Sequence, residues 1–325
     1  MTLHKPIAIS CGEPAGIGPE IAYRAWETLR NEMNLVWLGD PRHLPAGANY
    51  VAISNAADAA QVCPDALPVL ASDFGSDAVA GAPNPSHAAS VIGAIAQGVA
   101  LVQDGSAAGI CTAPIHKAAL IDGADFSYPG HTEYLAALAG VDRVVMMLAS
   151  DMLRVVPATI HIPLAEVPAR LTAAVLTDTI LITHAAMRRD FGIASPRIAV
   201  AGLNPHAGED GKMGQEEIEM ITPVLDALRA EGLQIAGPLS ADTMFRPAAR
   251  AQYDVAVCMY HDQALIPIKT LDFSGGVNVT LGLPFVRTSP DHGTAFDIAG
   301  RGIADATSMI AALRMARTMA EARDV

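Results

Sequence analysis

Residues 254–269 read DVAVCMYHDQALIPIK, and this stretch decides how the rest of the chain is interpreted. It begins as a buried apolar strand at 255–259 and turns polar at His261, Asp262 and Gln263. Ligands of parallel α/β sheets bind outside the carboxyl ends of the strands. An imidazole beside a carboxylate at such an end therefore indicates a functional site, provided that other strands end in the same way.

Apolar strand-like runs alternate with helix-like stretches along the chain, which predicts an α/β fold with a largely parallel sheet covered by helices on both faces. A length of 325 residues suits two domains or one large α/β unit. The predicted strands are 7–10, 34–38, 108–112, 143–148, 153–157, 197–201 and 255–259. The predicted helices are 19–31, 88–103, 132–139, 164–191, 215–231 and 308–323.

Composition excludes some classes of function. Hydrophobic residues make up 51% of the chain, which argues against disorder, and the formal net charge of −13 disfavours nucleic acid or an anionic membrane as the main partner. A small anionic substrate remains compatible. Four cysteines without metal or redox spacing indicate buried thiols in a reducing compartment. The apolar run 91–102 is too short to span a bilayer, so a cytoplasmic location without membrane contact is expected.

Two more predicted strands are followed by histidine. His161 follows the run in LRVVPATIHIPL, and His206 follows the run in RIAVAGLNPHAGE, as His261 follows 255–259. Three neutral imidazoles that leave a coordination position open are typical of a catalytic divalent metal. The alternative is that each histidine is an ordinary loop residue, since the chain has ten histidines.

Several polar or glycine-rich stretches are candidates for binding a ligand. GEPAGIGPE, from Gly12, fits neither the dinucleotide nor the P-loop fingerprint, so it is either a tight strand-to-helix turn or part of the wall of a crevice. Thr132 in GHTE is predicted to cap a helix, whose start favours anions, although simple capping explains it equally well. HGTAFDIAGRG, from His292, lets the backbone approach a ligand, and Asp297 can accept hydrogen bonds from a ribose or adenine.

Together these stretches carry a family resemblance over essentially the whole length. The chain resembles the 4-hydroxythreonine-4-phosphate dehydrogenases of vitamin B6 synthesis. The stretches that carry it are GEPAGIGPE, GHTE, MMLA, LNPHAGE, GPLSADTMF, MYHDQ, GVNVTLGLPFVRTSPDHGTA and AGRG. HGTAFDIAGRGIAD also resembles the cofactor loop of isocitrate and isopropylmalate dehydrogenases. The fold implied is that of these enzymes, with two interleaved α/β/α domains and a cleft between them.

The resemblance implies a homodimer whose active site is built from both subunits. One domain, at 1–128 and 272–325, would bind NAD or NADP, and the other, at 129–271, would hold the metal and the dimer contact. The implied metal ligands for zinc, magnesium or cobalt are His161, His206 and His261. The implied substrate contacts are His131, Thr132, Lys269, Asn278 and Arg287. The implied cofactor contacts are His292, Gly293, Thr294, Ala295 and Asp297.

The implied reaction is NAD-dependent oxidation of 4-phosphooxy-L-threonine at C3, followed by decarboxylation. The candidates for the general base are Asp262, Asp242 and Lys117. These residues, and also His116, are alternatively side chains that orient other groups of the site. Three alternatives remain open: a dehydrogenase of threonate or erythronate 4-phosphate, a metal-dependent hydrolase or lyase, and a non-catalytic protein that binds a phosphorylated ligand.

Overall fold

A computed structural model describes residues 5–323. Its strands are β1 (Ile7–Ser10), β2 (Leu35–Gly39), β3 (Tyr50–Ala52), β4 (Leu67–Ala71), β5 (Gly109–Thr112), β6 (Val145–Ala149), β7 (Arg154–Pro157), β8 (Arg197–Ala201), β9 (Gln234–Leu239), β10 (Val255–Cys258), β11 (Val277–Leu281) and β12 (Arg287–Pro290). Its helices are α1 (Gly18–Leu29), α2 (Ala59–Val62), α3 (Ala88–Gln103), α4 (Lys117–Ala124), α5 (His131–Ala139), α6 (Val167–Arg170), α7 (Ala173–Arg189), α8 (Thr222–Ala230), α9 (Ala241–Met244), α10 (Pro247–Arg250), α11 (His261–Leu271) and α12 (Thr307–Arg323).

The predicted α/β class and all seven predicted strands are confirmed, with ends that shift by one or two residues. Two predicted helices are interrupted. The stretch 164–191 divides into α6 and α7, because Thr172 caps a new helix by accepting a hydrogen bond from the Val175 amide at 3.2 Å. The stretch 215–231 opens with a π-helical turn, Glu217–Ile221, before α8.

The chain packs as two compact units. The first takes the described residues up to Asp142 and from Leu283 onward, and the second is Arg143–Gly282. The sequence instead predicts domain boundaries at 128/129 and 271/272. The roles that it assigns to the two domains remain a prediction.

In the first unit the strand order is β3-β4-β2-β1-β5-β12, and all these neighbours run parallel. β1 is central and fully buried, as a parallel strand with helices on both faces must be. Helix α3 contacts β1, β2 and β5. A side chain at Gly98 of α3 would lie 2.4 Å from the Ile110 Cδ1 atom, so glycine allows the close approach of this helix to the sheet.

Residues Pro85–Gln103, which include α3, form one helical stretch long and apolar enough to cross a membrane by length and composition alone. The core helix of a soluble protein meets the same criterion. The contacts of α3 with three strands are those of a core helix, as the sequence predicts for this segment.

In the second unit the strand order is β11-β6-β7-β10-β8-β9. β7, β10, β8 and β9 are parallel, whereas β6 runs antiparallel to both β7 and β11. Four residues, 150–153, separate β6 from its antiparallel neighbour β7. The Ser150 amide donates to the Leu153 carbonyl at 2.9 Å and closes this β6–β7 hairpin. Parallel strands therefore supply most of each sheet, as predicted, with an antiparallel insertion in this unit.

Candidate active site

The three candidate metal-binding histidines follow three neighbouring parallel strands of the second unit. Val257 of β10 lies opposite Val156 of β7 and Val200 of β8, so the three strands end at the same edge of the sheet. His161 follows β7, His206 follows β8, and His261 is the first residue of α11 after β10. The predicted strand ends that precede the three histidines are therefore confirmed, whereas the metal-binding role of the histidines stays a prediction.

His161 and His261 face the same cavity, which has a volume of about 330 Å³ and is also lined by Thr159, Tyr260 and Asp262. Their ring centroids are 5.8 Å apart. The His261 Nδ1 atom lies 2.7 Å from the Asp262 Oδ1 atom. Because a carboxylate only accepts, Nδ1 is the donor in this contact, which leaves Nε2 as the ring nitrogen not engaged by Asp262.

His161 and His206 both have left-handed backbone conformations, with φ of 51° and 53°. His206 begins a run of five left-handed residues, 206–210, inside the turn Pro205–Gly211. Such conformations cost energy for residues other than glycine and persist only where the surroundings impose them. They mark both turns as candidates for function.

The buried carboxylate of Glu217 holds the His206 turn in place. Its Oε1 atom accepts from the Asn204 amide at 2.8 Å, and its Oε2 atom accepts from Asn204 Nδ2 at 2.9 Å. A side chain at Gly208 would lie 2.7 Å from the same carboxylate. Glu217 begins the π-helical turn, a feature that often occurs at functional sites. Sequence reasoning missed this residue.

Gln263 connects two of the strand ends, and sequence reasoning also missed this role. Its Oε1 atom accepts from the Met259 amide at 2.7 Å, and its Nε2 atom donates to the Gly202 carbonyl at 2.8 Å. Met259 precedes the His261 helix, and Gly202 precedes the His206 turn. One amide side chain therefore fixes the backbone next to two of the three histidines.

The described chain offers two imidazoles in one cavity for the implied divalent ion. The donor set of His161 and His261 suits zinc or cobalt. Among residues 5–323, no three His, Cys, Asp or Glu side chains are arranged to hold one ion. His206 is exposed and does not line the cavity of the other two, so the three-histidine set stays a prediction.

Other candidates in the second unit differ in their surroundings. Asp242 is exposed and accepts from the Ser240 hydroxyl at 2.6 Å. Lys269 lies in the last turn of α11, with Nζ 5.8 Å from the centroid of the Phe273 ring. Asn278 lies on β11, and its Oδ1 atom is buried with no hydrogen-bond partner among the described residues.

In the first unit, the charge of the buried Arg287 acts on the half-buried His131, whose Nε2 atom is itself buried. Arg287 on β12 is 2% exposed and donates from Nη2 to Thr112 Oγ1 at 2.7 Å. Burial lowers the pKa of its guanidinium to about 10, so it remains a cation at neutral pH. Burial and the charge of Arg287 lower the pKa of His131 to about 3, which keeps this imidazole neutral.

A neutral imidazole beside a buried guanidinium suits the oxygens of a phosphate or carboxylate. The two residues stand at the start of α5 and on β12. The predicted cap is wrong, however. The N-cap of α5 is Gly130, in an extended conformation, and Thr132 is the second residue of the helix.

The cofactor candidates lie in an irregular loop of the first unit. His292 donates from Nδ1 to the Gly293 carbonyl at 3.0 Å, and Ala295 has a φ of 45°. The Thr294 carbonyl accepts from the Ile17 amide at 3.0 Å, so the glycine-rich turn after β1 contacts this loop. Asp297 is exposed, which leaves its carboxylate accessible to a ligand.

The first glycine turn has a packing function. Gly12 has a φ of 68°, and a side chain there would lie 2.4 Å from the Pro114 carbonyl oxygen. Lys117 is exposed at the first position of α4. His116, which precedes it, packs against the edge of the Phe296 ring with centroids 5.1 Å apart. These contacts fit both interpretations of the turn that begins at Gly12: a tight strand-to-helix turn and part of the wall of a crevice.

Three of the predicted binding residues carry a buried polar atom with no hydrogen-bond partner in the described part of the chain: His131 Nε2, Asn278 Oδ1 and His292 Nε2. His116 Nδ1 is in the same state. Most buried polar atoms in folded proteins are satisfied, and exceptions often mark places where water or a ligand binds. These atoms support the assignment of their residues to binding sites.

Fold and side chains thus define an α/β protein with a buried arginine near a neutral histidine in one unit and imidazoles after strand ends in the other. The family model of the pyridoxal phosphate biosynthetic protein PdxA matches residues 28–316, and the chain belongs to this family. A 4-hydroxythreonine-4-phosphate dehydrogenase of Roseobacter denitrificans is 64% identical over 316 residues, which cover 97% of each chain.

Solved structures agree with this assignment. The 4-hydroxythreonine-4-phosphate dehydrogenase of Klebsiella pneumoniae has a TM-score of 0.89 and 37% identity, covering 97% of this chain and 99% of that one. A terephthalate 1,2-cis-dihydrodiol dehydrogenase of Burkholderia xenovorans has a TM-score of 0.68 and 27% identity, covering 97% and 98%. The family recognised from the sequence motifs and its α/β fold are both confirmed.

Proposed function

We propose that the protein oxidises 4-phosphooxy-L-threonine at C3 with NAD⁺, or NADP⁺, in pyridoxine 5′-phosphate biosynthesis. The product, 2-amino-3-oxo-4-phosphooxybutanoate, is a β-keto acid and loses CO₂ to give 3-amino-2-oxopropyl phosphate. The observation that carries the proposal is the buried cation Arg287 acting on the neutral imidazole of His131, in a chain that matches a dehydrogenase of this name over 97% of its length. The pair supports recognition of a phosphorylated substrate.

Arg287 is assigned to the substrate phosphate or carboxylate, because its planar guanidinium can donate two parallel hydrogen bonds. The neutral His131 ring can donate or accept a hydrogen bond at its buried Nε2 atom. The first backbone amides of α5, which include that of Thr132, are further donors for an anion. Lys269 and Asn278 are assigned to the remaining polar groups of the substrate. Their roles rest on the family motifs and on the buried Asn278 Oδ1 atom.

The metal ligands are assigned to His161, His206 and His261. We further propose that a homodimer completes this set across its subunits, as the family resemblance implies. A divalent ion supplies Lewis-acid polarisation of the substrate hydroxyl when it is bound. Asp262 fixes the His261 ring through the 2.7 Å hydrogen bond, so we assign it a positioning role and not that of the base.

Oxidation moves a hydride from C3 to the nicotinamide and the hydroxyl proton to a base. The cofactor is assigned to the loop that contains His292, Thr294 and Asp297. Lys117 and Asp242 remain the candidates for the base, since both are exposed and can exchange protons with solvent. We propose a cytoplasmic location, which the four free buried cysteines support.

The first experiment follows NADH absorbance with purified protein, NAD⁺ and 4-phosphooxy-L-threonine, with EDTA or with added Zn²⁺, Mg²⁺ or Co²⁺. Metal-dependent NADH formation is expected. His261→Ala should abolish turnover and reduce bound metal, whereas His184→Ala on α7 serves as a matched control. Full activity of His261→Ala with its metal retained would contradict the ligand assignment.

The same assay separates the alternatives. Threonate and erythronate 4-phosphates differ from the proposed substrate mainly at C2, and a dihydrodiol dehydrogenase shares the fold at 27% identity, so the fold accommodates other substrates. A higher kcat/KM for a sugar-acid phosphate would move the reaction to that substrate. Bound metal with no NADH formed from any of these compounds would favour a hydrolase or lyase.

A further inference from the structure

The loop at 294–304, which contains most of the proposed cofactor contacts, has little structure of its own. Its internal backbone hydrogen bonds join the Ile298 amide to the Ala295 carbonyl at 3.1 Å and the Arg301 amide to the Ile298 carbonyl at 3.3 Å. Ala295, Gly300 and Gly302 all have positive φ. A segment of this kind depends on neighbouring elements for its shape.

Helix α1 and the turn before it supply those contacts at both ends of the 294–304 loop. The Ile17 amide donates to the Thr294 carbonyl at 3.0 Å. At the other end, the Ala304 amide donates to Glu20 Oε1 at 2.9 Å. Arg24 donates from Nη1 to the Ala304 carbonyl at 2.8 Å and from Nη2 to the Gly302 carbonyl.

Glu20 and Arg24 are four residues apart, so both lie on the same face of α1. Their side chains also form an ion pair at 3.2 Å, with exposed fractions of 11% and 39%. An exposed ion pair alone contributes little to stability. The hydrogen bonds from this pair to loop backbone are charge-assisted and directional, and they fix three backbone groups at once.

We propose that Glu20 and Arg24 are positioning residues for the dinucleotide, which hold the end of the 294–304 loop in its cofactor-binding shape. The inference rests on the proposed function, which assigns NAD to this loop. It also gives GEPAGIGPE a function that neither nucleotide fingerprint explains: the motif begins the helix that braces the cofactor loop and does not itself cradle the phosphates.

The test compares Arg24→Met with the wild-type enzyme. Hydrogen exchange should accelerate at the amides of 295–304 and stay unchanged in the sheet. The Kd for NAD⁺, measured by calorimetry without substrate, should rise roughly tenfold, as the loss of charge-assisted hydrogen bonds predicts. The KM for NAD⁺ should rise with it, with kcat and the KM for the phosphorylated substrate little changed. Arg24→Lys, which keeps the positive charge but has one donating nitrogen in place of two, should recover part of the affinity.

Arg314→Met is the matched control, because Arg314 on α12 forms an exposed ion pair with Glu32 just after α1, at 2.9 Å, and does not contact the loop. It should leave loop exchange and NAD⁺ affinity unchanged. Equal NAD⁺ affinity and equal loop exchange in Arg24→Met and wild type would overturn the inference alone. A wild-type enzyme that binds NAD⁺ but forms no NADH would overturn the proposed reaction, while the Kd comparison would still decide the role of Arg24.

Discussion

Replacing Gln263 by leucine should loosen the two strand ends that carry His206 and His261. Gln263 is 9% exposed, and its amide group joins the Met259 amide to the Gly202 carbonyl. Leucine has a similar volume but neither the donor nor the acceptor. Both backbone groups would therefore remain buried without a partner.

The expected cost follows from these two groups. Each buried backbone group left unsatisfied costs about 1–3 kcal/mol, so loss of both partners should lower the free energy of unfolding by roughly 2–6 kcal/mol. The geometry of the two turns should relax as well. Loss of a residue that supports metal ligands typically lowers metal affinity by about 10–100-fold, and a drop of this size is expected for Co²⁺ if the proposed site is correct.

Urea unfolding followed by far-UV circular dichroism measures the loss in the free energy of unfolding. Hydrogen exchange at the Met259 amide shows whether this loss arises at the strand end. Gln234→Leu is the control, because Gln234 on β9 is exposed and its side chain donates to the hydroxyl of the exposed Ser195 at 2.7 Å. It should change stability by less than about 0.5 kcal/mol. A Gln263→Leu protein as stable as the control, with a protected Met259 amide, would refute the bridging role.

Three further predictions concern the first unit and the thiols. The pKa of His131 is about 3 in the folded chain against an ordinary 6.5. Between these two pH values the unfolded chain binds a proton that the folded chain does not, so the free energy of unfolding should fall as pH drops below 6.5. His131→Gln should reduce that slope by up to about 1.4 kcal/mol per pH unit, measured by urea unfolding at a series of pH values. Gly93 on α3 faces open space, so Gly93→Ala should stabilise the protein by about 0.5–1 kcal/mol. Gly123→Ala would place the new Cβ atom 1.8 Å from the Pro85 carbonyl oxygen and should destabilise the protein by about 2 kcal/mol or more, as measured by thermal melts of both variants. All four cysteines are buried, and burial raises the pKa of Cys111 to about 12, so a thiol reagent should label none in the native protein and four in denaturant; rapid native labelling would contradict the packing.

The seven predicted strands were identified from their apolar runs, whereas five strands, β3, β4, β9, β11 and β12, were missed. Residues 197–201 and 255–259 indicate strands because both faces of a parallel sheet are covered. β12 begins Arg287, Thr288, Ser289, and its sequence is typical of a loop, yet these residues are at most 7% exposed. Pairing with β5 overrides local propensity there, which no window of sequence reports.

α11 was missed for a related reason. It contains Pro267, which usually ends a helix, and it begins directly at His261 after the strand. The polar residues at its start read as the end of a strand followed by a loop. In the structure they form the first turn of a helix, and this places the His261 ring beside the cavity instead of in a flexible connection.

The proposed metal ligands were easier to identify from the sequence than the side chains that hold the backbone around them. An imidazole after an apolar run is visible in the sequence, because parallel strands end at a common edge. Gln263 and Glu217 act across strands, on Gly202 and Asn204, and these partnerships depend on register and on a π-helical turn. Glu217 is also a buried carboxylate, which folding tolerates only with its hydrogen bonds in place. Substitutions of Gln263 or Glu217 leave every proposed metal ligand present and change only the backbone that positions it. They therefore test the architecture of the site separately from its ligands, which substitution of the histidines does not.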